Sequence, residues 1–100
     1  ALGPAKRAVE LAPDHPLARL ALGVAQLFDG QTAEGERRLV DAVRKQKDLA
    51  GLLGGYLQPL IDGQRLPGAI ALLRAILVGA PRNTVARKNL EILLKRQAGK

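Results

Sequence analysis

The sequence predicts an all-α fold of helical hairpins, and three observations support this prediction. Apolar residues recur at helical spacing, and no segment alternates apolar and polar residues as a half-buried strand does. The loops between helices are short, which favours antiparallel neighbours. The chain also contains an internal repeat: LFDGQTAEGERRLVDAV (27–43) and LIDGQRLPGAIALLRAI (60–76) agree at seven of seventeen positions.

The composition fits one small globular domain with an aliphatic core. Of the 100 residues, 47% are apolar, and Phe28 and Tyr56 are the two aromatic residues. The longest uncharged stretch, residues 49–61, has thirteen residues, whereas a membrane-spanning helix needs about 20. We therefore expect no membrane span. The bias towards Ala, Leu, Arg and Gly suggests a bacterial source, and nothing in the sequence selects a compartment.

The first half of the chain predicts three helices. Residues 4–12 form the first, which Pro13 ends because proline disfavours a helical conformation in the residue before it. Residues 16–28 form a helix that is apolar almost all round, so we expect it to have neighbours on most sides. Gly30 is suited to the left-handed conformation that ends such a helix. The third helix begins at residue 31 or 32 and runs to about residue 47.

The second half predicts three more helices. Asp48 is a good N-cap for a helix through residue 61 or 62, which we expect to be bent or interrupted by its glycines and Pro59. Gly63 is expected to end this helix, and Pro67 suits the first turn of the next, residues 66–78. The last helix covers residues 85–97 after Asn83 or Thr84 as cap. The residues expected to form its apolar stripe are Ala86, Leu90, Leu93 and Leu94.

The repeated unit resembles the tetratricopeptide repeat, a helical hairpin of about 34 residues. The Leu-Gly pair typical of the first helix matches Leu22-Gly23, and the small residue where the two helices cross closely matches Gly35. The later large apolar residue and alanine match Leu39 and Ala42. The family's glycine at the inter-helix turn matches Gly30, and its proline matches Pro13 and Pro81. The second copy departs from the pattern, with Gly55-Tyr56 in place of Leu-Gly.

This resemblance implies a short right-handed solenoid of about 2.5 repeats plus a C-terminal capping helix. In a single domain of residues 1–100, residues 5–12 would be the second helix of a partial repeat. Residues 16–47 and 48–80 would be two whole repeats, and residues 83–97 the capping helix. A start in mid-repeat without Met suggests a segment of a longer protein.

In tetratricopeptide proteins the first helices line a concave surface that binds partners, which implies a groove in this chain. The residues that would line it are Leu17, Leu20, Val24, Leu27, Leu53, Leu57 and Leu60. Such a groove would accept the apolar face of a helix or an extended segment. The alternative is that these leucines form the core and that Arg19 and Gln26 face the groove.

The residue inventory argues against enzymatic chemistry. There is no Cys and no Ser, and His15 is the one histidine, so Ser–His and Cys–His arrangements are impossible within the chain. A zinc site lacks ligands, and no cofactor motif is present. Asp29 and Asp62 recur at equivalent positions, but Asp before Gly at a turn is explained by bonding of its side chain to nearby backbone N–H groups.

The formal net charge of +7 raises nucleic acid, an anionic membrane surface and acidic protein as partners. A basic cluster, Arg37, Arg38, Arg44 and Lys45, lies on one helix, where Glu34 and Asp41 are placed to pair with it. Binding by base stacking needs aromatic residues, which are nearly absent. We therefore expect a non-enzymatic protein–protein interaction module, a scaffold or adaptor. The alternatives are a basic module that binds anions or nucleic acid, and self-assembly through exposed repeat ends.

Overall fold

The structure, a computed structural model, describes residues 15–99, which form helices and turns with no strand in that range. The helices are α1 (Pro16–Phe28), α2 (Thr32–Lys45), α3 (Ala50–Leu53), α4 (Leu57–Asp62), α5 (Leu66–Gly79) and α6 (Thr84–Ala98). The 3₁₀ turn Lys47–Leu49 precedes α3, and a second, Gly54–Tyr56, separates α3 from α4. The predicted all-α class is confirmed for this range. The predicted helix at residues 5–12 lies outside the described residues.

Helix ends follow the local chemistry of the sequence with two exceptions. Before α6, Asn83 Oδ1 accepts a hydrogen bond from the Ala86 N–H at 3.0 Å, as predicted for a cap. The prediction that α2 reaches residue 47 is wrong, because Gln46 is extended (φ −144°, ψ 94°) and ends the helix. The prediction that Asp48 is an N-cap is also wrong, since Asp48 lies inside a 3₁₀ turn.

The predicted interruption between residues 48 and 62 is confirmed. Glycine weakens a helix interior, and Pro59 has no N–H to donate to the preceding turn. A Cβ atom added at Gly51, Gly54 or Gly55 would have no neighbouring atom within 4 Å. These glycines therefore do not mark a close helix contact. They leave this side of the segment open.

Helix α5 is the centre of the core. It packs against α1, α2, α3, α4 and α6, and nine of its fourteen residues are buried. Pro67 and Arg74 are its exposed residues, and Arg74 pairs with Glu36 of α2 at 3.6 Å. The sequence predicted that α1 would have neighbours on most sides, and among the described residues it packs against α2 and α5. The prediction that Leu94 joins the apolar stripe of α6 is wrong, because this side chain is 39% exposed.

Helices α1 and α2 approach closely at two glycines. A Cβ atom on Gly35 would lie 2.7 Å from the Gly23 carbonyl oxygen, and one on Gly23 would lie 2.8 Å from Leu39 Cδ2. Neither position has room for a side chain without displacing its neighbour. The small residue expected at a close crossing of two helices is therefore found at Gly35.

The two DGQ turns differ in backbone conformation. Gly30 ends α1 in the left-handed region with φ 87°, as predicted. After α4, Gly63 has φ −82°, and the left-handed residue is Gln64, with φ 58°. The two turns, which share the letters DGQ, are therefore not equivalent residue by residue.

Candidate functional site

Most of the apolar residues predicted to line a groove belong to the hydrophobic core. The five that are buried are Leu20, Val24, Leu27, Leu53 and Leu60. Leu27, Leu53 and Leu60 have no exposed surface, because the second helices of both hairpins cover them. They hold the helices together and are not available to a partner. The placement matches the alternative interpretation, in which these residues are core.

Three other predicted residues on α1 also fail to form an open groove. Leu17 is exposed near the start of the helix. Arg19 donates to Asp41 of α2 at 3.4 Å. Gln26, expected to face the groove under the core alternative, is buried, and its Oε1 accepts no hydrogen bond within the described residues.

Leu57 was also predicted to line the groove of the first helices, but it lines a different surface, the cleft between α4 and α6. Leu57 is half-buried, and the cleft beside it has a volume of about 330 Å³. Helix α4 provides Leu57, Gln58 and Ile61 at helical spacing, so these residues share one face. The residues of α6 that line the opposite wall are Asn89, Ile92, Leu93 and Arg96. We call this cleft the α4–α6 groove.

The groove continues past the end of α4. A second cavity of about 350 Å³ is lined by Ile61, Gln64, Leu66 and Arg96. Ile61 and Arg96 line both cavities, which therefore adjoin at these two residues. The floor is aliphatic, and Ile92 remains 48% exposed at its edge. Gln58, Gln64 and Asn89 add polar surface, so the result is an open channel of mixed apolar and polar lining, with a cation beside its middle.

The polar groups at the rim differ in whether they already have hydrogen-bond or ion-pair partners. Gln58 donates to Asp62 Oδ1 at 2.8 Å, so that carboxylate already has a partner. Arg96 forms no ion pair with any residue in the range 15–99. Residues 82–98 hold five cationic residues and one acidic residue, Glu91. Helix α6 is therefore strongly basic, and Arg96 is its cation that lines the groove.

The basic cluster predicted on α2 is partly neutralised. Arg37 pairs with Glu34 at 2.8 Å, and Lys45 pairs with Asp41 at 3.5 Å. Arg44 is exposed. Arg38 has a buried Nε without a hydrogen-bond partner in the described part of the chain. Half of the predicted basic cluster is thus paired, as the positions of Glu34 and Asp41 indicated.

The two repeated aspartates have local partners. Asp29 Oδ2 accepts a hydrogen bond from Gln31 Nε2 at 2.9 Å, and Asp62 accepts from Gln58. Both partners are side-chain amides, whereas the sequence predicted backbone N–H donors. Residues 15–99 contain no group of three His, Cys, Asp or Glu residues that could hold a metal ion. Nor does any helix in this range combine the length and apolar character needed to cross a bilayer.

The groove was not predicted from the sequence, although the spacing of some of its lining residues is visible there. Leu57 and Ile61 are four residues apart on α4, and Ile92 and Arg96 are four apart on α6. Each pair shares a helix face. Which apolar side chains stay open depends on how α4 and α6 are placed on α5, and that placement is tertiary.

Comparison of the chain with protein-family models, curated proteins and solved structures finds no match.

Proposed function

We propose that this chain is a non-enzymatic helical-repeat module that binds a segment of another protein in the α4–α6 groove. The observation that carries the proposal is the open aliphatic floor beside an arginine without an ion-pair partner in the described range. Grooves that accept an amphipathic helix or an extended segment have this character, with apolar anchors for affinity and polar groups at the rim.

The internal repeat supports a helical-repeat architecture. Leu27 approaches the Cβ position of Gly35 to 2.9 Å, and Leu60 approaches that of Gly68 to 3.3 Å. The same leucine–glycine contact thus occurs in both copies, at the period of the repeat. Together with the close crossing at Gly23, it supports a tetratricopeptide-like solenoid with repeats at 16–47 and 48–80 and a capping helix at 83–97. Repeat modules of this kind act as scaffolds through extended concave surfaces.

The proposal is tested with a displayed library of random peptides selected against the full chain. The probe variant is Ile92→Asp, which places a charge on the groove floor. The matched control is Leu94→Asp, which changes an exposed apolar residue of the same helix that does not line the groove. We expect enriched peptides to bind Ile92→Asp at least about tenfold more weakly than the unchanged chain. Leu94→Asp should bind them normally.

Two results would contradict the proposal. One is that no peptide is enriched. The other is that both variants lose binding equally, which would indicate a general effect of negative charge on α6. Circular dichroism of each variant establishes that a loss of binding does not reflect unfolding.

A second function is favoured by the charge of α6, namely binding of a polyanion such as nucleic acid. Five cations against one acid over residues 82–98 would supply contacts to phosphates, and such binding weakens steeply with salt. The measurement is affinity for a single-stranded oligonucleotide across a salt series. Submicromolar binding at physiological salt that Ile92→Asp leaves unchanged would favour this function over the groove.

A further inference from the structure

We infer that the segment bound in the α4–α6 groove is acidic and amphipathic, with a carboxylate that pairs with Arg96. This inference rests on the proposed function and specifies the chemistry of its partner. The groove supplies both parts of such recognition, an aliphatic floor and a cation at the junction of its two cavities. An amphipathic helix presents apolar side chains at intervals of three and four residues and polar ones beside them.

The cation at the junction is placed to meet a bound segment. Arg96 lines both cavities, so a segment that passes from one to the other crosses it. Its guanidinium forms no ion pair within residues 15–99, so pairing with a ligand breaks no ion pair found there. Arginine binds carboxylates through two parallel hydrogen bonds, which fixes orientation as well as charge.

Other cations extend this positive edge. Lys88 and Lys95 lie four residues before and three residues after Ile92, so they flank it on the helix surface. Both lysines are exposed. Positive charge therefore lies before and after Ile92 along the helix, and Glu91 is the one acidic residue of α6. An acidic segment is complementary to this edge, and a basic one is repelled.

The same charges disfavour the other occupants. A second copy of the chain, with a net charge of +7, would bring like charges together when its own α6 approached the groove. A nucleic acid would meet an aliphatic floor, and neither aromatic residue of the chain is among the lining residues. Single strands bind best where bases stack on aromatic rings.

The test measures the affinity of the full chain for three labelled helical peptides by fluorescence anisotropy. Each carries leucines at positions i, i+3, i+4 and i+7 on one face. The flanking positions are Glu in the first peptide, Gln in the second and Lys in the third. We expect the Glu peptide to bind at least about tenfold more tightly than the Gln peptide, with a difference that shrinks as salt screens the charges.

Two charge reversals locate the effect. Arg96→Glu should weaken the Glu peptide about tenfold and strengthen the Lys peptide. Arg44→Glu makes the same change in net charge at an exposed position of α2 outside the groove, and should alter both affinities less than twofold. If Arg44→Glu acts as strongly as Arg96→Glu, the attraction is general and the inference fails.

The peptides also separate this inference from the proposed function. Equal binding of the Glu and Gln peptides, sensitive to Ile92→Asp, would leave the groove as a binding site and overturn the acidic partner. Absence of binding by all three peptides, together with no enrichment from the library, would overturn both. If an oligonucleotide displaces the Glu peptide, Arg96→Glu is tested on both ligands. If the substitution weakens both equally, Arg96 is assigned to nucleic-acid binding and the inference is overturned.

Discussion

Gly30 and Gln64 occupy the same place in two turns with identical backbone hydrogen bonding. Each donates its N–H to the carbonyl three residues earlier, Gly30 to Leu27 and Gln64 to Ile61. Each has a positive φ, 87° for Gly30 and 58° for Gln64. In the repeated sequence, however, the counterpart of Gly30 is Gly63. The backbone conformation of the second turn is therefore shifted by one residue relative to the alignment of the two repeated sequences.

The shift changes where Pro67 lies in α5. Arg65 is the counterpart of Thr32 in the repeated sequence, and a helix start there would place both Arg65 and Leu66 inside α5 before the proline. The observed start at Leu66 leaves one helical residue ahead of Pro67, which lies in the first helical turn of α5, where its missing N–H costs no intrahelical hydrogen bond. In the second DGQ turn, Gln64 takes the left-handed conformation that Gly30 adopts in the first.

The strain at Gln64 predicts a stabilising substitution. Gln64→Gly should raise the free energy of unfolding by up to about 1 kcal/mol, because glycine adopts a positive φ without steric cost. Urea denaturation monitored by circular dichroism measures the change. The control is Gln46→Gly, at a residue with φ −144°, which should not stabilise. Equal stabilisation by both variants would show that the backbone of Gln64 is not the cause.

The close helix crossing predicts opposite effects for two Gly→Ala substitutions. Gly35→Ala should destabilise the chain by about 1–3 kcal/mol, because the new methyl group meets the Gly23 carbonyl oxygen and Leu27. Gly51→Ala, in α3 with open space around it, should stabilise by about 0.5–1 kcal/mol through helix propensity. Thermal and urea unfolding of both variants provide the comparison. A neutral Gly35→Ala would mean that α1 and α2 can separate without cost.

The central position of α5 predicts a large effect at Leu72. Leu72→Ala should lower the free energy of unfolding by about 2–5 kcal/mol, since the fully buried side chain leaves a cavity. Leu52→Ala removes the same atoms from a side chain that is 52% exposed. It should change stability by less than about 0.5 kcal/mol. Similar losses at both positions in urea denaturation would contradict the packing described here.

The cap of α6 predicts a moderate loss on removal. Asn83→Ala should destabilise the chain by about 0.5–2 kcal/mol, because the Ala86 N–H loses its acceptor. The control is Gln31→Ala, at the N-cap of α2, where no side-chain cap bond exists. Hydrogen exchange at the first turn of each helix reports the effect locally. Faster exchange at the start of α6 is expected for Asn83→Ala, and exchange at the start of α2 should be nearly unchanged for Gln31→Ala.

Local chemistry allowed much of the fold to be predicted from the sequence. The ends of α1 follow from Pro16 and Gly30, and the start of α6 follows from Asn83. The interruption of the third predicted helix follows from its glycines and proline. These features depend on residues a few positions apart, which is the range over which caps and propensities act.

Tertiary features were predicted less well. Helix α1 and helix α5 are both rich in apolar residues, and the sequence does not say which one is surrounded. The groove forms because α4 and α6, which are distant in the sequence, are placed on the same helix with a gap between them. Ile61, Ile92 and Arg96 became site residues only through that placement.

The one-residue offset between the two turns bears on how this chain could be lengthened or rebuilt. In both copies the spacing from the core leucine to the small residue it touches is eight positions, Leu27 to Gly35 and Leu60 to Gly68. Between these fixed partners the bend of the chain has moved by one position. The second hairpin thus keeps the leucine–glycine contact, while the turn between its two helices is shifted by one residue. Grafts and tandem copies should be joined by matching those pairs, not by superposing the backbones of the two turns.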